Sequence, residues 1–192
     1  NTPQESEKIE GTNKIVKFAK SKPLPSYLVA FAVGPFEFVG ESKIGKNGTT
    51  SRIVTPKGRT AEAKWAVEST TPIFNLLEEY FGIPYPYEKL DQIAIPKVGF
   101  AMEHPGLVTY GEEGMLTKPE NETLEFKHDW ATVCAHELAH QWFGDLVTMK
   151  WWDDTWLNES FASWMGTKIV MQFKPEWEEG IVEIEDRAYV MK

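Results

Sequence analysis

The chain has 192 residues, of which 42% are hydrophobic, so it is long enough to bury a core and too short for more than two domains. Twenty basic residues against twenty-nine acidic ones give a net charge of −9, and the basic residues nowhere cluster, so nucleic acid is not an expected partner. No run of eighteen apolar residues occurs and the polar start does not look like a signal peptide, so we expect a soluble chain without a membrane span, in a compartment that the sequence leaves open.

The first forty residues are predicted to hold a polar loop followed by strands. Residues 1–14 lack any periodicity, which favours a loop or a ragged end. Three apolar segments then show strand patterns, namely residues 15–18, the continuous run 27–33, and residues 36–39, where apolar and polar side chains alternate. We expect these segments to lie side by side as adjacent strands.

A hairpin, a turn and a helix are predicted next. The Asn-Gly pair at 47–48 is typical of a tight hairpin, and residues 56–58 indicate another turn. Thr60 can cap a following helix, which Gly82 ends. Pro72 lies inside this helix and favours a kink or a restart.

Two strands and a loop are predicted in the middle of the chain. The strands cover residues 90–96 and 106–110, and we expect them to be neighbours. Residues 111–125 are rich in glycine, glutamate, proline and asparagine without periodicity, which indicates a loop.

The last third of the chain is predicted to be helical. Apolar residues keep helical spacing over residues 126–144. Asp153 or Asp154 can cap a second helix, whose band of aromatic and aliphatic residues we interpret as core. The Lys-Pro pair at 174–175 favours a further helix toward Lys192.

The first of these helices carries a metal-binding pattern. His136 and His140 are four residues apart, so both imidazoles lie on one helix face and can meet one zinc ion. Glu137 is placed to take a proton from the attacking water, and Glu159 on the second helix is the natural third ligand of a catalytic site that keeps one position open. The sequence therefore predicts one zinc ion per chain. The single cysteine, Cys134, is predicted to be a small buried residue and not a ligand.

Two motifs give the chain a resemblance to a known family. Residues 136–145, which read HELAHQWFGD, and the Trp-Leu-Asn-Glu at 156–159 resemble the gluzincin aminopeptidases of the aminopeptidase N type. The Gly-Ala-Met-Glu-Asn motif of that family is matched by residues 100–104, where Phe100 replaces the glycine and His104 replaces the asparagine. The resemblance runs over most of the chain.

The resemblance implies an α+β fold with a thermolysin-like peptidase core, in which a small β-sheet is followed by the zinc-binding helices. It implies that residues 1–39 are the last strands of an N-terminal β domain and that residues 40–192 are part of the peptidase domain. It also implies that Glu103 binds the free α-amine of a peptide, which limits cleavage to the first peptide bond. The backbone around Ala101 and Met102 is expected to align the substrate as an added strand.

Two parts of the predicted site are incomplete. Asp145 either orients a ligand histidine or is a residue of the helix end. The resemblance also calls for a tyrosine far downstream that stabilises the oxyanion, and Tyr189 comes too early for that role. We therefore expect missing parts of a longer parent chain to be needed for full activity, so that the piece alone is weakly active or inactive.

The leading hypothesis is a zinc metallo-aminopeptidase core that hydrolyses the N-terminal peptide bond of peptides with a free N-terminus. Two alternatives share the same residues and stay open, namely a fragment that binds zinc without turnover and an epoxide hydrolase-type member of the same family. The sequence indicates neither the preferred N-terminal residue nor the oligomeric state.

Overall fold

The computed structural model describes residues 1–177, in which a small sheet system is followed by packed helices in an α+β arrangement. The α+β class predicted from the sequence is confirmed at this level. The strands are β1 (Gln4–Glu10), β2 (Asn13–Phe18), β3 (Phe36–Ile44), β4 (Thr49–Pro56), β5 (Lys89–Ile95) and β6 (Leu107–Gly111), and the helices are α1 (Lys64–Phe81), α2 (Glu112–Met115), α3 (Leu124–His140) and α4 (Thr155–Phe173).

A four-stranded mixed sheet with the order β3-β4-β5-β6 supports the helices. β3 and β4 are antiparallel and joined by the hairpin predicted at residues 47–48, whereas β4, β5 and β6 run parallel to one another. The two strands predicted over residues 90–96 and 106–110 are thereby confirmed as neighbours. β5 is buried along almost its whole length, including its polar residues Lys89, Asp91 and Gln92.

The main core lies between one face of this sheet and helices α1, α3 and α4, and it includes Ile53, Phe74, Leu90, Leu138 and Met165. The helices also pack against one another. A smaller cluster on the other face joins residues of β4, β5 and β6 to Ala30 and Phe36 of the N-terminal part. Helices α3 and α4 are therefore packed against the sheet and against α1.

Helix α1 follows its prediction at the end but not at the start. Gly82 ends it in the left-handed conformation with φ of +67°, as glycine allows. Thr60 begins a short 3-10 turn before the helix and makes no capping hydrogen bond through its side chain, so its predicted cap is wrong. The helix continues through Pro72 without a restart, because Ile73 and Phe74 directly after it are fully buried in the core.

The N-terminal segment differs most from its prediction. Residues 1–14, predicted as a loop, hold β1 and the start of β2, which pair as an antiparallel hairpin. Nearly every residue of both strands is exposed, so no buried face imposes the alternation that marks a strand in sequence. The strands predicted at residues 15–18 and 36–39 are present in β2 and β3, but β2 pairs with β1 and not with β3.

The apolar run at residues 27–33 is not a strand. It begins in a 3-10 turn over Ser26–Leu28 and continues as irregular backbone. Only Leu28 is buried, while Phe31 and Val33 are 79% and 89% exposed. Apolar composition alone therefore misled the prediction here.

The domain boundary predicted after residue 39 falls inside β3. Gly40 has φ of +65°, and the register between β3 and β4 shifts between Val39 and Ser42. A side chain at Gly40 would also collide with Val67 of α1. The division into residues 1–39 and 40–192 stays a prediction.

The segment predicted as a loop at residues 111–125 is more ordered than expected. It contains α2 and a 3-10 turn over Pro119–Asn121, and α3 begins at its end, where the Thr123 hydroxyl accepts a hydrogen bond from the Phe126 N–H at 3.1 Å. α3 ends at His140, before the predicted end at Gly144. Short helices of this kind bury too few residues to leave a periodic signal.

Helix α4 begins at the predicted place, although Asp154 precedes it without a capping hydrogen bond from its side chain. Its predicted core band is only partly buried, since Met165 and Ile169 are fully buried while Trp156 is 64% exposed. The helix predicted from 174–175 toward Lys192 begins with a 3-10 turn and otherwise lies, like Tyr189, outside the described residues. No helix within residues 1–177 is long and apolar enough to cross a membrane.

Candidate metal centre

Three predicted ligand atoms converge between the end of α3 and the start of α4. The two imidazole Nε2 atoms of His136 and His140 are 3.1 Å apart. The Glu159 Oε2 atom is 3.4 Å from the His136 Nε2 and 3.5 Å from the His140 Nε2. Among the described residues, these three form the cluster that could hold a metal ion.

The spacing of this triangle suits zinc. Ligand atoms that lie about 2.0–2.1 Å from a tetrahedral zinc ion are roughly 3.3 Å from one another. The three observed separations of 3.1, 3.4 and 3.5 Å fall around that value. Two imidazoles and one carboxylate also form a common donor set of catalytic zinc sites, which leaves the fourth position open. The residues present therefore fit the ion.

Hydrogen bonds on the far side of each ring orient the two histidines. The His140 Nδ1 lies 3.2 Å from the carbonyl oxygen of Phe143, and because a carbonyl only accepts, Nδ1 carries the proton and the Nε2 lone pair faces the cluster. The His136 Nδ1 lies 3.4 Å from the Ser163 Oγ on α4. Neither ring uses Asp145, so the predicted option that Asp145 orients a ligand histidine is wrong and a backbone carbonyl does this for His140.

A close approach of α3 and α4 sets the distance between the histidines and Glu159. At Gly166, an added Cβ would lie 3.2 Å from the Thr132 carbonyl oxygen and 3.3 Å from the His136 backbone nitrogen. Both atoms belong to the backbone of α3, which cannot turn aside. The absence of a side chain at Gly166 therefore lets the two helices meet beside the cluster.

A second glycine lies under the other histidine. Gly144 has φ of +130°, and a Cβ there would collide with the Asn158 Oδ1 and lie 3.0 Å from the His140 Nδ1. Asn158 is buried, and its Nδ2 donates to the Glu159 Oε1 at 3.3 Å. This contact occupies one carboxylate oxygen of Glu159 and leaves the other facing the histidines.

Glu137 lies next to the cluster as a buried carboxyl group without a partner. It is 6% exposed, and its Oε2 has no hydrogen-bond partner among the described residues. Burial raises its pKa to about 8, the charges of Glu103 and Glu159 act in the same direction, and His140 opposes them. An unpaired carboxyl group of this kind is available for proton transfer.

In the metal-free cluster, the pKa values of the two histidines shift in opposite directions. Burial and, to a smaller extent, the nearby His140 lower the pKa of His136 to about 4, while Glu159 opposes them. Burial also opposes charge on His140, but its hydrogen bond with Glu159 and the neighbouring carboxylates outweigh burial and raise its pKa. The same hydrogen bond lowers the pKa of Glu159. Without metal, His140 and Glu159 therefore each favour the charged form of the other.

The segment that carries Glu103 lies beside β6. Met102 exchanges two backbone hydrogen bonds with Thr109, at 2.9 and 3.0 Å, and the Gly111 N–H donates to the Phe100 carbonyl at 3.1 Å. Because bonding directions alternate along an extended chain, the backbone of Ala101 faces away from β6. The segment thus forms a short antiparallel edge.

The Glu103 side chain is buried at 5% exposure and contributes to the raised pKa values of Glu137 and Asp145. Of the two departures from the family motif, the Phe100 side chain is 68% exposed, while His104 is partly buried. Burial lowers the pKa of His104, which favours the neutral ring. A neutral His104 does not compete for the Glu103 carboxylate.

The cluster is surrounded by acidic groups. Burial raises the pKa of Asp145 well above its usual range, and the charges of Glu103 and Glu137 raise it further. Together with Glu159, these residues make four carboxyl groups whose charges act on His140 or on one another. Such a concentration favours a bound cation.

Sequence reasoning missed two polar side chains at this site. Gln141 is fully buried and links α3 to the Glu103 segment. Tyr27 packs against Trp152 with ring centroids 5.1 Å apart, and its hydroxyl is buried without a partner among residues 1–177. Burial raises the pKa of Tyr27 to about 12, with contributions from Glu103, Asp145 and Glu159. Gln141 lies within the motif at residues 136–145, but the sequence assigns it no role, because its partners Tyr85, Glu103 and Gly106 come from distant parts of the chain.

The comparisons with known proteins point to one family. The peptidase family M1 domain matches residues 65–192. The chain is 44% identical over 178 residues to aminopeptidase M1-A of Oryza sativa subsp. japonica, which covers 92% of this chain and 20% of that protein. It is 42% identical over 179 residues to the probable aminopeptidase 2 of Sulfurisphaera tokodaii (93% and 22%) and 43% identical over 162 residues to the glutamyl aminopeptidase of Bos taurus (84% and 17%). The chain thus spans about a fifth of the length of these curated relatives.

Proposed function

Because the chain belongs to peptidase family M1, we propose that it carries the zinc centre and the amine-binding segment of an aminopeptidase that acts on peptides. The resemblance to aminopeptidase N-type gluzincins, predicted from the two motifs, is confirmed by this membership and by the similarity to several aminopeptidases. The observation that carries the proposal is the convergence of two imidazole nitrogens and one carboxylate oxygen within 3.1 to 3.5 Å.

In this proposal His136, His140 and Glu159 hold one zinc ion. When bound, zinc supplies a Lewis acid for the scissile carbonyl and lowers the pKa of the attacking water. The Phe143 carbonyl keeps the proton of His140 on Nδ1, so that its Nε2 is available as a ligand. The Asn158 amide holds Glu159 with one oxygen toward the histidines.

Glu137 acts as the general base. Its unpartnered Oε2 would accept the proton of the attacking water and later return it to the departing amine. The pKa of about 8 applies to the metal-free site. A positive charge held between the ligands would lower this pKa, so that Glu137 is ionised and can accept a proton. Buried carboxyl groups with raised pKa values are typical of such roles.

Glu103 restricts the cut to the first peptide bond. Its carboxylate would bind the α-ammonium group of a free N-terminus, and hydrogen bonds to charged groups contribute about 1.5 to 3 kcal/mol each. The outward-facing backbone of Ala101, next to Met102, would pair with the substrate backbone as an added strand. The buried position of Glu103 next to the metal centre supports this role.

The fold is proposed to be a thermolysin-like peptidase core, with residues 40–192 as part of that domain and residues 1–39 as the end of an N-terminal β domain. The mixed sheet that precedes α3 and α4 supports the first assignment. The separate β1–β2 sheet supports the second.

Zinc content and hydrolysis of an aminoacyl reporter together test this function. We expect one zinc ion per chain in the parent and in Glu137→Gln, but a loss of hydrolysis of about a hundredfold or more in Glu137→Gln, because the proton acceptor is gone. Glu125→Gln, an exposed change on the same helix, is the control and should leave both readings unchanged.

Three outcomes decide between this proposal and a fragment that binds zinc without turnover. A parent without zinc, or a Glu137→Gln turnover within tenfold of the parent, would reject the proposal. A parent that binds one zinc ion but hydrolyses nothing would favour the fragment that binds zinc without turnover.

A further inference from the structure

The Gln141 carboxamide makes four hydrogen bonds in the interior of the molecule, where it is 0% exposed. Its Oε1 accepts from the Tyr85 hydroxyl at 2.9 Å and from the Gly106 N–H at 3.3 Å. Its Nε2 donates to the Glu103 carbonyl at 2.6 Å and to the Asp145 Oδ2 at 3.1 Å. A carboxamide has two donor hydrogens and two acceptor lone pairs, so its bonding capacity is fully used.

The partners fix the orientation of this amide. A backbone N–H such as that of Gly106 can only donate, and a carbonyl such as that of Glu103 can only accept. Exchanging the oxygen and nitrogen of Gln141 would leave both groups buried without a partner, at a cost of about 1 to 3 kcal/mol each. The side chain therefore has one favourable arrangement.

Gln141 bonds to the turn that follows Glu103 and to the residue before it. The Leu107 N–H donates to the His104 carbonyl at 3.0 Å and closes the turn over residues 104–107. Gln141 bonds to the Glu103 carbonyl just before this turn and to the Gly106 N–H within it, and it directly follows the ligand His140. One side chain thus fixes the Glu103 segment relative to the metal centre.

We propose that Gln141 is a positioning residue, which holds the Glu103 carboxylate at a set distance from the zinc ligands and thereby determines the preference for a free N-terminus. The inference rests on the proposed roles of the zinc centre and Glu103. A displacement of about 1 Å in a positioned group can change binding or rate by about a hundredfold, so the loss of this bridge is measurable.

Gln92 of β5 offers a matched control for a purely structural role. It is also 0% exposed, its Nε2 donates to the Thr70 Oγ1 at 2.8 Å, and its Oε1 accepts from the Tyr110 hydroxyl at 2.8 Å. It lies beneath the same helix, beside Cys134, but bonds to no part of the Glu103 segment. Replacing Gln92 therefore removes a buried amide without releasing Glu103.

The test compares two probes that differ only at the amine, leucine hydroxamate and N-acetyl-leucine hydroxamate. The hydroxamate group binds zinc, which gives both probes affinity for the same site. Calorimetry on the zinc-loaded 192-residue chain should show that the parent binds the free amine about tenfold or more tighter, as one charge-assisted contact predicts. Gln141→Met should keep one zinc ion but reduce this preference to threefold or less, while Gln92→Met should keep the preference even where its melting temperature falls.

The outcomes distinguish this inference from the proposed function. A preference in Gln141→Met that stays within twofold of the parent overturns the positioning role alone. A parent without any preference overturns the role of Glu103 and this inference with it.

A nuclear magnetic resonance measurement on the parent covers the case in which Gln141→Met does not fold. The side-chain amide signals of Gln141 should shift on addition of leucine hydroxamate and not of its acetylated form, because the ligand reaches the segment to which this amide is bonded. The signals of Gln92 should respond to neither probe. An unresponsive Gln141 would overturn the inference.

Discussion

In the metal-free protein, ionisation of the buried Glu137 carboxyl group should destabilise the fold, and Glu137→Gln should remove this effect. Its pKa is about 8 in the folded state and 4.5 in the reference state, chiefly because of burial. Below pH 4.5 both states hold the proton, but as pH rises toward 8 only the unfolded state releases it, so stability is lost over this window. Urea denaturation with chelator present should show that the parent loses stability from pH 5 to pH 8, whereas Glu137→Gln loses less, by on the order of a few kcal/mol.

Glu125→Gln is the control for this comparison, since Glu125 is exposed on the same helix. It should follow the pH dependence of the parent. If parent and Glu137→Gln lose the same stability between the two pH values, the raised pKa of Glu137 is wrong.

Tyr27 gives a second prediction at the scale of one residue. Its hydroxyl is buried without a partner among the described residues. Removing it therefore breaks no hydrogen bond and avoids the cost of burying a polar group. Tyr27→Phe should therefore leave the free energy of unfolding unchanged or raise it by up to about 1 kcal/mol. Thermal and urea unfolding measure this directly.

Tyr110→Phe is the matched comparison, because its buried hydroxyl donates to the Gln92 Oε1 at 2.8 Å. It should cost about 1 to 2 kcal/mol, since it leaves the Gln92 Oε1 with only the weak donor of the Cys134 thiol at 3.5 Å. A Tyr27→Phe variant that loses as much as Tyr110→Phe would show that the Tyr27 hydroxyl is paired in solution.

The site residues could be predicted where residues close in sequence form a recognisable spacing. His136 and His140 lie four residues apart, and on a helix that spacing alone puts both on one face. Gln141 gives no such signal, because its partners Glu103 and Gly106 come close only after the sheet and α3 have packed. Predicted roles such as amine binding by Glu103 rest on the family motif and await the measurements above.

At the scale of elements, burial decided which predictions succeeded. β5 and β6 are largely buried and were found, whereas in the exposed β1–β2 hairpin β1 was missed and β2 was predicted without its partner. The run at residues 27–33 has the composition of a buried strand, but it leaves Phe31 and Val33 exposed. Hydrophobic patterns report which side chains are buried and not which backbones pair, so such segments cannot be assigned from sequence.

The contact between α3 and α4 gives a prediction at this scale. A methyl group at Gly166 must push against the Thr132 carbonyl and the His136 nitrogen, so Gly166→Ala should move the helices apart by a few tenths of an ångström. Overpacking of this kind costs about 1 to 3 kcal/mol. Because Glu159 and the histidines lie on opposite sides of this contact, zinc affinity measured by competition with a chelator should fall at least tenfold.

Gly114→Ala in α2 serves as the control, since an added Cβ there meets nothing within 4 Å. It should leave both stability and zinc affinity close to those of the parent. Unchanged zinc affinity in Gly166→Ala would show that the helix contact does not set the ligand distances.

At the scale of the whole molecule, the metal ion is expected to link α3 and α4 and to reduce the repulsion between the acidic residues around the site. The chain carries a net charge of −9, and four of its acidic residues surround one site, where burial raises the pKa values of Glu137 and Asp145. A divalent cation held by the histidines of α3 and by Glu159 of α4 offsets this repulsion and ties the two helices together. The fold should therefore depend on zinc for a substantial part of its stability.

Zinc should accordingly raise the melting temperature of the whole chain, and the ligand on α4 should decide by how much. Binding at a free zinc concentration a thousandfold above the dissociation constant stabilises the fold by about 4 kcal/mol, which for a chain of this size corresponds to on the order of 10 °C. Glu159→Gln removes the charged ligand that links α4 to α3, so most of this increment should disappear, while Glu113→Gln, an exposed change in α2, should keep it. Calorimetric scans with and without chelator measure the increment for each protein. An equal increment in parent and Glu159→Gln would mean that zinc binds elsewhere, because a cation that stabilises only by reducing the net charge would not distinguish Glu159 from Glu113.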